Sequence, residues 1–96
     1  MTIDEFQRRI EEIYLARDKA RGVGGTFMWF TEEVGELASA IRSGSKAEQE
    51  EEFADVLAWL VSLASIQGIG MDRAIRKYAR GCPYCHKAPC ECSQKT

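Results

Sequence analysis

The amino-acid sequence predicts an all-α fold: a small bundle of about four helices that oligomerises and ends in a short cysteine-rich tail. Three observations support this prediction. Apolar residues recur at helical spacing, glycines divide the chain into helix-length segments, and no segment alternates apolar and polar residues as a half-buried strand would. With 96 residues, 45% of them hydrophobic, the chain has room for one packed domain. We expect the helical domain at 1–80 and the tail at 81–96.

The first two predicted helices lie on either side of a glycine-rich connection at 22–25. The first helix, 2–21, begins with Thr2 and Glu5, whose spacing is that of a capping box. The second helix, 26–43, places its apolar side chains within one arc, which we expect to face the core.

The third predicted helix begins after Ser45, which can cap it together with Glu48, and it runs to about residue 67. A short basic helix at 71–80 completes the set. Because helices this short leave a single chain with a thin core, we expect a homodimer or a homotetramer.

Charge is distributed unevenly along the chain. Residues 1–55 contain 13 acids and 7 bases, a net charge of -6, whereas residues 56–96 contain 2 acids and 6 bases, a net charge of +4. The acidic part argues against binding a nucleic acid polymer and favours binding cations. The longest apolar stretch, 56–66, is shorter than the roughly 20 residues of a membrane span, and residues 1–9 do not resemble a signal peptide. We therefore expect a cytoplasmic protein without a membrane partner.

Acidic residues recur at i, i+3 spacing in the second and third helices, as Glu33 with Glu36 and as Glu52 with Asp55. Each pair lies on one face of its helix, so the four carboxylates converge if the two helices pack antiparallel. Such a cluster requires a cation, because like charges repel and burial removes their hydration. Carboxylate oxygens suit Mg²⁺ or Mn²⁺, which also bind phosphate oxygens. A solvated acidic surface is the alternative, and the spacing alone leaves both open.

Trp29 and Trp59 each lie one helical turn from an acid of these pairs. Their rings can stack on a nucleobase, or they can pack in the core or at a subunit interface. The residues alone leave both alternatives open.

The order and spacing of the acids resemble a known family. Glu32-Glu33-Val34-Gly35-Glu36, followed by Glu52-Phe53-Ala54-Asp55, is similar to the EExxE and ExxD signature of the MazG-like nucleotide pyrophosphohydrolases, and the resemblance covers roughly 6–78. It implies an oligomeric helical enzyme that uses Mg²⁺ to hydrolyse nucleoside triphosphates to monophosphate and pyrophosphate. It also implies that Glu32 orients or deprotonates the attacking water, and that the magnesium ligands are Glu33, Glu36, Glu52 and Asp55.

Binding a triphosphate also requires positive groups. Lys77 is the preferred candidate, because the stretch 75–78 resembles the final helix of the family. The alternative role of Lys77 is to complement the dipole at a helix C-terminus. Trp29 and Trp59 are the candidates for contacting the base. The sequence contains no P-loop, and hydrolysis by a metal-activated water needs no covalent nucleophile.

All four cysteines lie within 11 residues, in the order Cys82, Cys85, Cys90 and Cys92. In a reducing compartment this spacing favours a structural Zn²⁺ held by four thiolates over disulfides. Replacement of one cysteine by His86, a pair of disulfides, a redox role and a partner contact are the alternatives. The tail departs from the typical core of the family.

A second hypothesis for the whole chain is non-enzymatic. In it, the protein is a zinc-stapled helical module for interaction or regulation, and its acidic residues bind only a partner or a cation. Release of pyrophosphate from nucleoside triphosphates distinguishes the two hypotheses.

Overall fold

A computed structural model describes residues 1–93, so the last three residues of the predicted tail lie outside the described residues. Helix α1 spans Ile3–Ser43, α2 spans Lys46–Ile66 and α3 spans Met71–Ala74, followed directly by a 3₁₀ turn, Ile75–Tyr78. The all-α class is therefore confirmed. Residues 1–93 contain three helices where about four were expected, because the first two predicted helices are joined into one element that is broken at Gly22.

Helix α1 is interrupted at Gly22, where the backbone adopts φ 89° and ψ 165°. A straight helix of 41 residues would be about 62 Å long, but the longest dimension of the molecule is 43 Å. The interruption thus divides α1 into a first arm, 3–21, and a second arm, 23–43. The predicted connection at 22–25 is a break at a single residue, since Gly24 and Gly25 lie within the second arm.

The break at Gly22 should depend on the conformational freedom of glycine. We expect Gly22→Ala to lower the free energy of unfolding by about 1–3 kcal/mol, because side-chain-bearing residues are strained in this backbone region. The space around Gly22 is open, so the penalty comes from the backbone alone. Gly24→Ala, a control in equally open space but helical, should raise stability by about 0.8–1 kcal/mol. Urea unfolding followed by circular dichroism measures both; equal effects of the two variants would contradict the prediction.

Both long helices begin with the predicted capping boxes. In α1, the Thr2 hydroxyl accepts the Glu5 N–H at 3.0 Å, and the Glu5 carboxylate accepts the Thr2 N–H at 2.7 Å. Ser45 and Glu48 repeat the pattern in α2, at 3.1 and 2.8 Å. These bonds, first those from the backbone, lower the pKa of Glu5 and of Glu48. The helix starts are therefore fixed by local chemistry that the sequence displays.

The buried side chain of Gln7 ties the first arm to the connection between α2 and α3. Its amide nitrogen donates to the Ser65 hydroxyl at 3.0 Å and to the Ile69 carbonyl at 2.9 Å, and its amide oxygen accepts the Met71 N–H at 2.8 Å. Ser65 in turn donates to a Glu11 carboxylate oxygen at 2.6 Å. These bonds place the short helix α3 against the start of the chain.

The apolar core of the single chain is small. Among the described residues, the buried apolar side chains are those of Ile10, Val61 and Leu63, and of these only Val61 is fully buried. The apolar arc of the second predicted helix, which was expected to face the core, is instead partly exposed, so that prediction is wrong for an isolated chain. Apolar side chains of α2 are also partly exposed. We call these exposed residues the outer apolar stripes; they are Phe27, Val34 and Ile41 on α1, and Phe53, Leu57 and Leu60 on α2.

The accessible surface of the chain is large for its mass. A compact monomer of 10.8 kDa exposes about 5,500 Å², whereas this chain exposes 7223 Å². The excess is consistent with helices that leave apolar faces uncovered within one chain.

Within residues 1–93, no single helix has both the length and the apolar character of a membrane span. Helix α2 and the segment Met71–Tyr78 reach that length and composition only jointly, and they are bent by 100° relative to each other.

Candidate functional site

The acidic pairs of the second arm and of α2 face each other. Carboxylate oxygens of Glu33, Glu36 and Glu52 all lie within 4.8 Å of one another. Asp55 lies one turn beyond Glu52 and close enough to Glu33 to influence its ionisation. We call these four residues the carboxylate cluster. Glu32 is the neighbour of Glu33 in the chain, but its side chain is exposed and it does not belong to the group of three.

The electrostatics of the carboxylate cluster are unfavourable without a cation. Burial raises the pKa of Glu33, and the negative charges of Glu36, Asp55 and Glu52 raise it further. Burial, followed by the charge of Glu36, likewise raises the pKa of Glu52. In addition, the Oε2 atom of Glu33 is buried and has no hydrogen-bond partner among the described residues.

An unpartnered buried carboxylate oxygen is destabilising, because it has lost its water without gaining a donor. A divalent cation would supply positive charge at this oxygen and screen the repulsion between its neighbours. The donor set consists only of carboxylate oxygens, which suit a hard cation such as Mg²⁺. The carboxylate cluster could therefore bind a metal ion.

A cleft of about 660 Å³ adjoins the carboxylate cluster and is lined by both arms of α1 and by α2. Glu33 and Asp55 form part of its wall. The remaining lining residues combine aromatic, basic and small side chains: Tyr14, Arg17, Asp18, Ala20, Arg21, Trp29, Ala58, Trp59 and Ser62. The cleft thus joins an acidic patch to an aromatic and basic one.

Trp29 and Trp59 lie together in the cleft. Their rings are nearly parallel, with 6.3 Å between centroids and 13° between planes. The Arg21 guanidinium lies 5.1 Å from the ring centre of Trp59, and the Trp29 side chain is 49% exposed. The two tryptophans therefore pack against each other, and both also line a space that a planar ligand can enter.

The basic wall of this cleft, formed by Arg17 and Arg21, was not predicted from the sequence. Asp18 is 2% exposed, and its carboxylate accepts a hydrogen bond from Arg21 at 3.0 Å. The same Arg21 nitrogen donates to the hydroxyl of the buried Thr26 at 3.3 Å. Arg17 also lines the cleft. The sequence shows the i, i+3 spacing of Asp18 and Arg21, but it does not show that this pair faces α2. That orientation depends on the break at Gly22.

Lys77, the expected partner of the triphosphate, is not one of the residues that line the cleft. It lies exposed in the 3₁₀ turn, with its ammonium 5.8 Å from the ring centre of Tyr78. The basic residues that line the cleft, Arg17 and Arg21, come from the first arm.

A second cluster lies in the tail. The sulfur atoms of Cys82, Cys85, Cys90 and Cys92 all lie within 4.8 Å of one another, and none of these residues forms a disulfide. This cluster could also hold a metal ion.

Residues 24–86, about two thirds of the chain, match the MazG nucleotide pyrophosphohydrolase domain. The matched segment contains the whole carboxylate cluster and both tryptophans. The match begins at residue 24, whereas the resemblance was expected to begin near residue 6, and it ends at residue 86, beyond the expected end near residue 78. The first arm therefore lies outside the match. No curated protein matches the chain significantly.

Proposed function

The chain belongs to the MazG nucleotide pyrophosphohydrolase domain family, and from this membership we propose that it hydrolyses nucleoside triphosphates to the monophosphate and pyrophosphate. In this reaction a water oxygen bonds to phosphorus, the bridge between the α- and β-phosphates breaks, and pyrophosphate leaves. The proton of the water passes to a carboxylate or to solvent.

The observation that carries the proposal is the buried, unpartnered Oε2 atom of Glu33 within a group of carboxylates that borders a cleft. A purely structural acidic surface would leave such an oxygen in water. Because Glu33 belongs both to the carboxylate cluster and to the cleft wall, a cation bound by it could also contact a ligand in the cleft.

We assign the Mg²⁺ ligands to the carboxylate cluster, with Mn²⁺ as a substitute. When bound, this ion supplies positive charge to the phosphate oxygens. Glu32, which precedes Glu33 on the exposed side of α1, is assigned the orientation of the attacking water. Trp29 and Trp59 offer aromatic surface for the base, and Arg17 and Arg21 are the basic groups on the cleft wall. The Lys77 assignment is retained only as a secondary proposal.

A direct test is to incubate the purified protein with a panel of nucleoside triphosphates and Mg²⁺, and to measure pyrophosphate and monophosphate. We expect both products in equal amounts, loss of activity in EDTA, and a strong loss in Glu36→Gln. Glu50→Gln is the matched control, because Glu50 is an exposed acid of α2 outside the carboxylate cluster. Full activity in Glu36→Gln, or no pyrophosphate from any triphosphate, would contradict the proposal and favour the non-enzymatic module.

We also propose that the protein is a homodimer or homotetramer in the cytoplasm, in which a second copy covers the outer apolar stripes. Four reduced cysteines fit a reducing compartment. Burial of the stripes would remove several large apolar side chains from water, at about 25 cal/mol per Å².

A charge placed within the outer apolar stripes should dissociate the oligomer. We expect Ile41→Glu and Phe53→Glu to shift the protein to the mass of one chain, because each side chain is 55% exposed in the single chain and would be buried by a partner. Light scattering coupled to gel filtration measures the mass. Tyr78→Glu, which is also exposed but lies outside both stripes, is the control. A wild-type protein of monomeric mass would contradict this part of the proposal.

A further inference from the structure

The four cysteines of the tail form a site with the dimensions of a tetrahedral metal centre. The sulfur atoms of Cys82 and Cys92 are 3.6 Å apart, and those of Cys85 and Cys90 are 3.9 Å apart. Four sulfurs at about 2.3 Å from a central Zn²⁺ would be about 3.8 Å apart along each tetrahedral edge. Sulfurs in a disulfide are about 2.0 Å apart. The observed spacing therefore matches an ion between the sulfurs and is too long for a bond.

Backbone N–H groups surround the sulfur atoms. The Cys85 sulfur accepts the N–H of Glu91 at 3.4 Å, and the Cys90 sulfur accepts the N–H of Cys92 at 3.3 Å. Hydrogen bonds of this kind stabilise the negative charge of a thiolate ligand and fix its orientation. The loop is also closed by backbone bonds, from Cys82 N to the Lys87 carbonyl and from His86 N to the Cys82 carbonyl. The sulfurs are thus held in place by the loop itself.

His86 does not take part in the sulfur cluster. Neither of its ring nitrogens belongs to the group of ligand atoms that lie within 4.8 Å of one another, and its side chain is exposed. Its backbone has φ 61°, which turns the chain directly after Cys85. His86 therefore contributes to the loop through its backbone conformation. The four cysteine sulfurs form the ligand set without its side chain.

We propose that the tail binds one Zn²⁺ through the thiolates of Cys82, Cys85, Cys90 and Cys92, as a closed structural site. Sulfur ligands in tetrahedral geometry suit zinc or iron, and zinc is the more strongly bound of the two divalent ions. Binding displaces the thiol protons to solvent and leaves no coordination position for water or substrate. The site is chemically distinct from the carboxylate cluster, and its existence does not depend on the proposed hydrolase activity.

Metal analysis of the full-length protein tests this proposal. After dialysis we expect about one zinc and no iron per chain, and little zinc in Cys90→Ser. His86→Ala and Glu36→Gln should both retain the zinc, the first because histidine is not a ligand and the second because the carboxylate cluster is a separate site. Replacement of zinc by Co²⁺ in the unmodified protein should give the absorption of tetrahedral cobalt with sulfur-to-metal charge transfer.

Two further measurements use the unmodified chain and so do not depend on the folding of a variant. A thiol reagent should detect four thiols after chelation and far fewer before it. Chelation should also speed tryptic cleavage after Lys87 several-fold, because the Lys87 carbonyl is held by Cys82 N at 3.0 Å. A protein without zinc, an iron-containing protein, loss of zinc in His86→Ala, or absence of reactive thiols after chelation would each overturn the proposal.

Discussion

Glu33→Gln is expected to have opposite effects on activity and on stability. It should lower kcat/KM for triphosphate hydrolysis at least about 100-fold, because loss of groups that merely support a metal ligand already lowers metal affinity or activity by about 10–100-fold. In EDTA, however, the variant should have a higher Tm than the wild-type protein. The amide removes a carboxylate whose pKa is raised by burial and by the charges of Glu36, Asp55 and Glu52.

Differential scanning fluorimetry with and without Mg²⁺ separates the two effects. The wild-type Tm should rise with Mg²⁺ concentration, since a ligand that binds only the folded state stabilises it. The Tm of Glu33→Gln should not change. Glu50→Gln should behave as wild type in both assays. A lower Tm of Glu33→Gln in EDTA would show that its carboxylate is stabilised within the chain and needs no cation.

Arg21→Ala is expected to lower the free energy of unfolding by about 3 kcal/mol, because it leaves the buried carboxylate of Asp18 without its partner. Loss of the bond to Thr26 and of the contact with Trp59 adds to this effect. Urea unfolding of purified proteins measures the change.

Two controls identify the source of that loss. Arg9→Ala removes an arginine from a pair of the same i, i+3 spacing with Glu12, but both side chains are more than two thirds exposed, so stability should change little. The double variant Asp18→Ala, Arg21→Ala should be more stable than Arg21→Ala alone, because no carboxylate is then buried without a partner. If the double variant is no more stable, burial of Asp18 is not the cause.

Local patterns in the sequence predicted the elements of the fold well. The capping pairs Thr2 with Glu5 and Ser45 with Glu48 are formed as expected, because each involves residues only three positions apart. The packing of the helices depends on more than periodicity. Apolar residues such as Val34 and Phe53 have the spacing of a core face, but that spacing does not show whether the same chain or another one covers them.

For the candidate site, as for the fold, the sequence predicted the local spacing of side chains but not how the helices bring them together. The i, i+3 spacing of the acids identified which side chains share a helix face, and the structure places three of them within 4.8 Å of one another. The basic wall could not be predicted, because Arg17 and Arg21 reach the cleft only through the direction that α1 takes at Gly22. A connection of three glycines and a valine gives no indication of that direction.

The break at Gly22 also separates the two groups of side chains that line the cleft. The carboxylates come from residues within the matched segment, whereas Tyr14, Arg17 and Arg21 come from the arm that precedes it. Substitution of Tyr14 or Arg17 would change the shape or the charge of the cleft without changing the acids. Under the proposed function, we therefore expect substitutions in the leading arm to change which ligand is preferred, and substitutions of the acids to change the rate of hydrolysis.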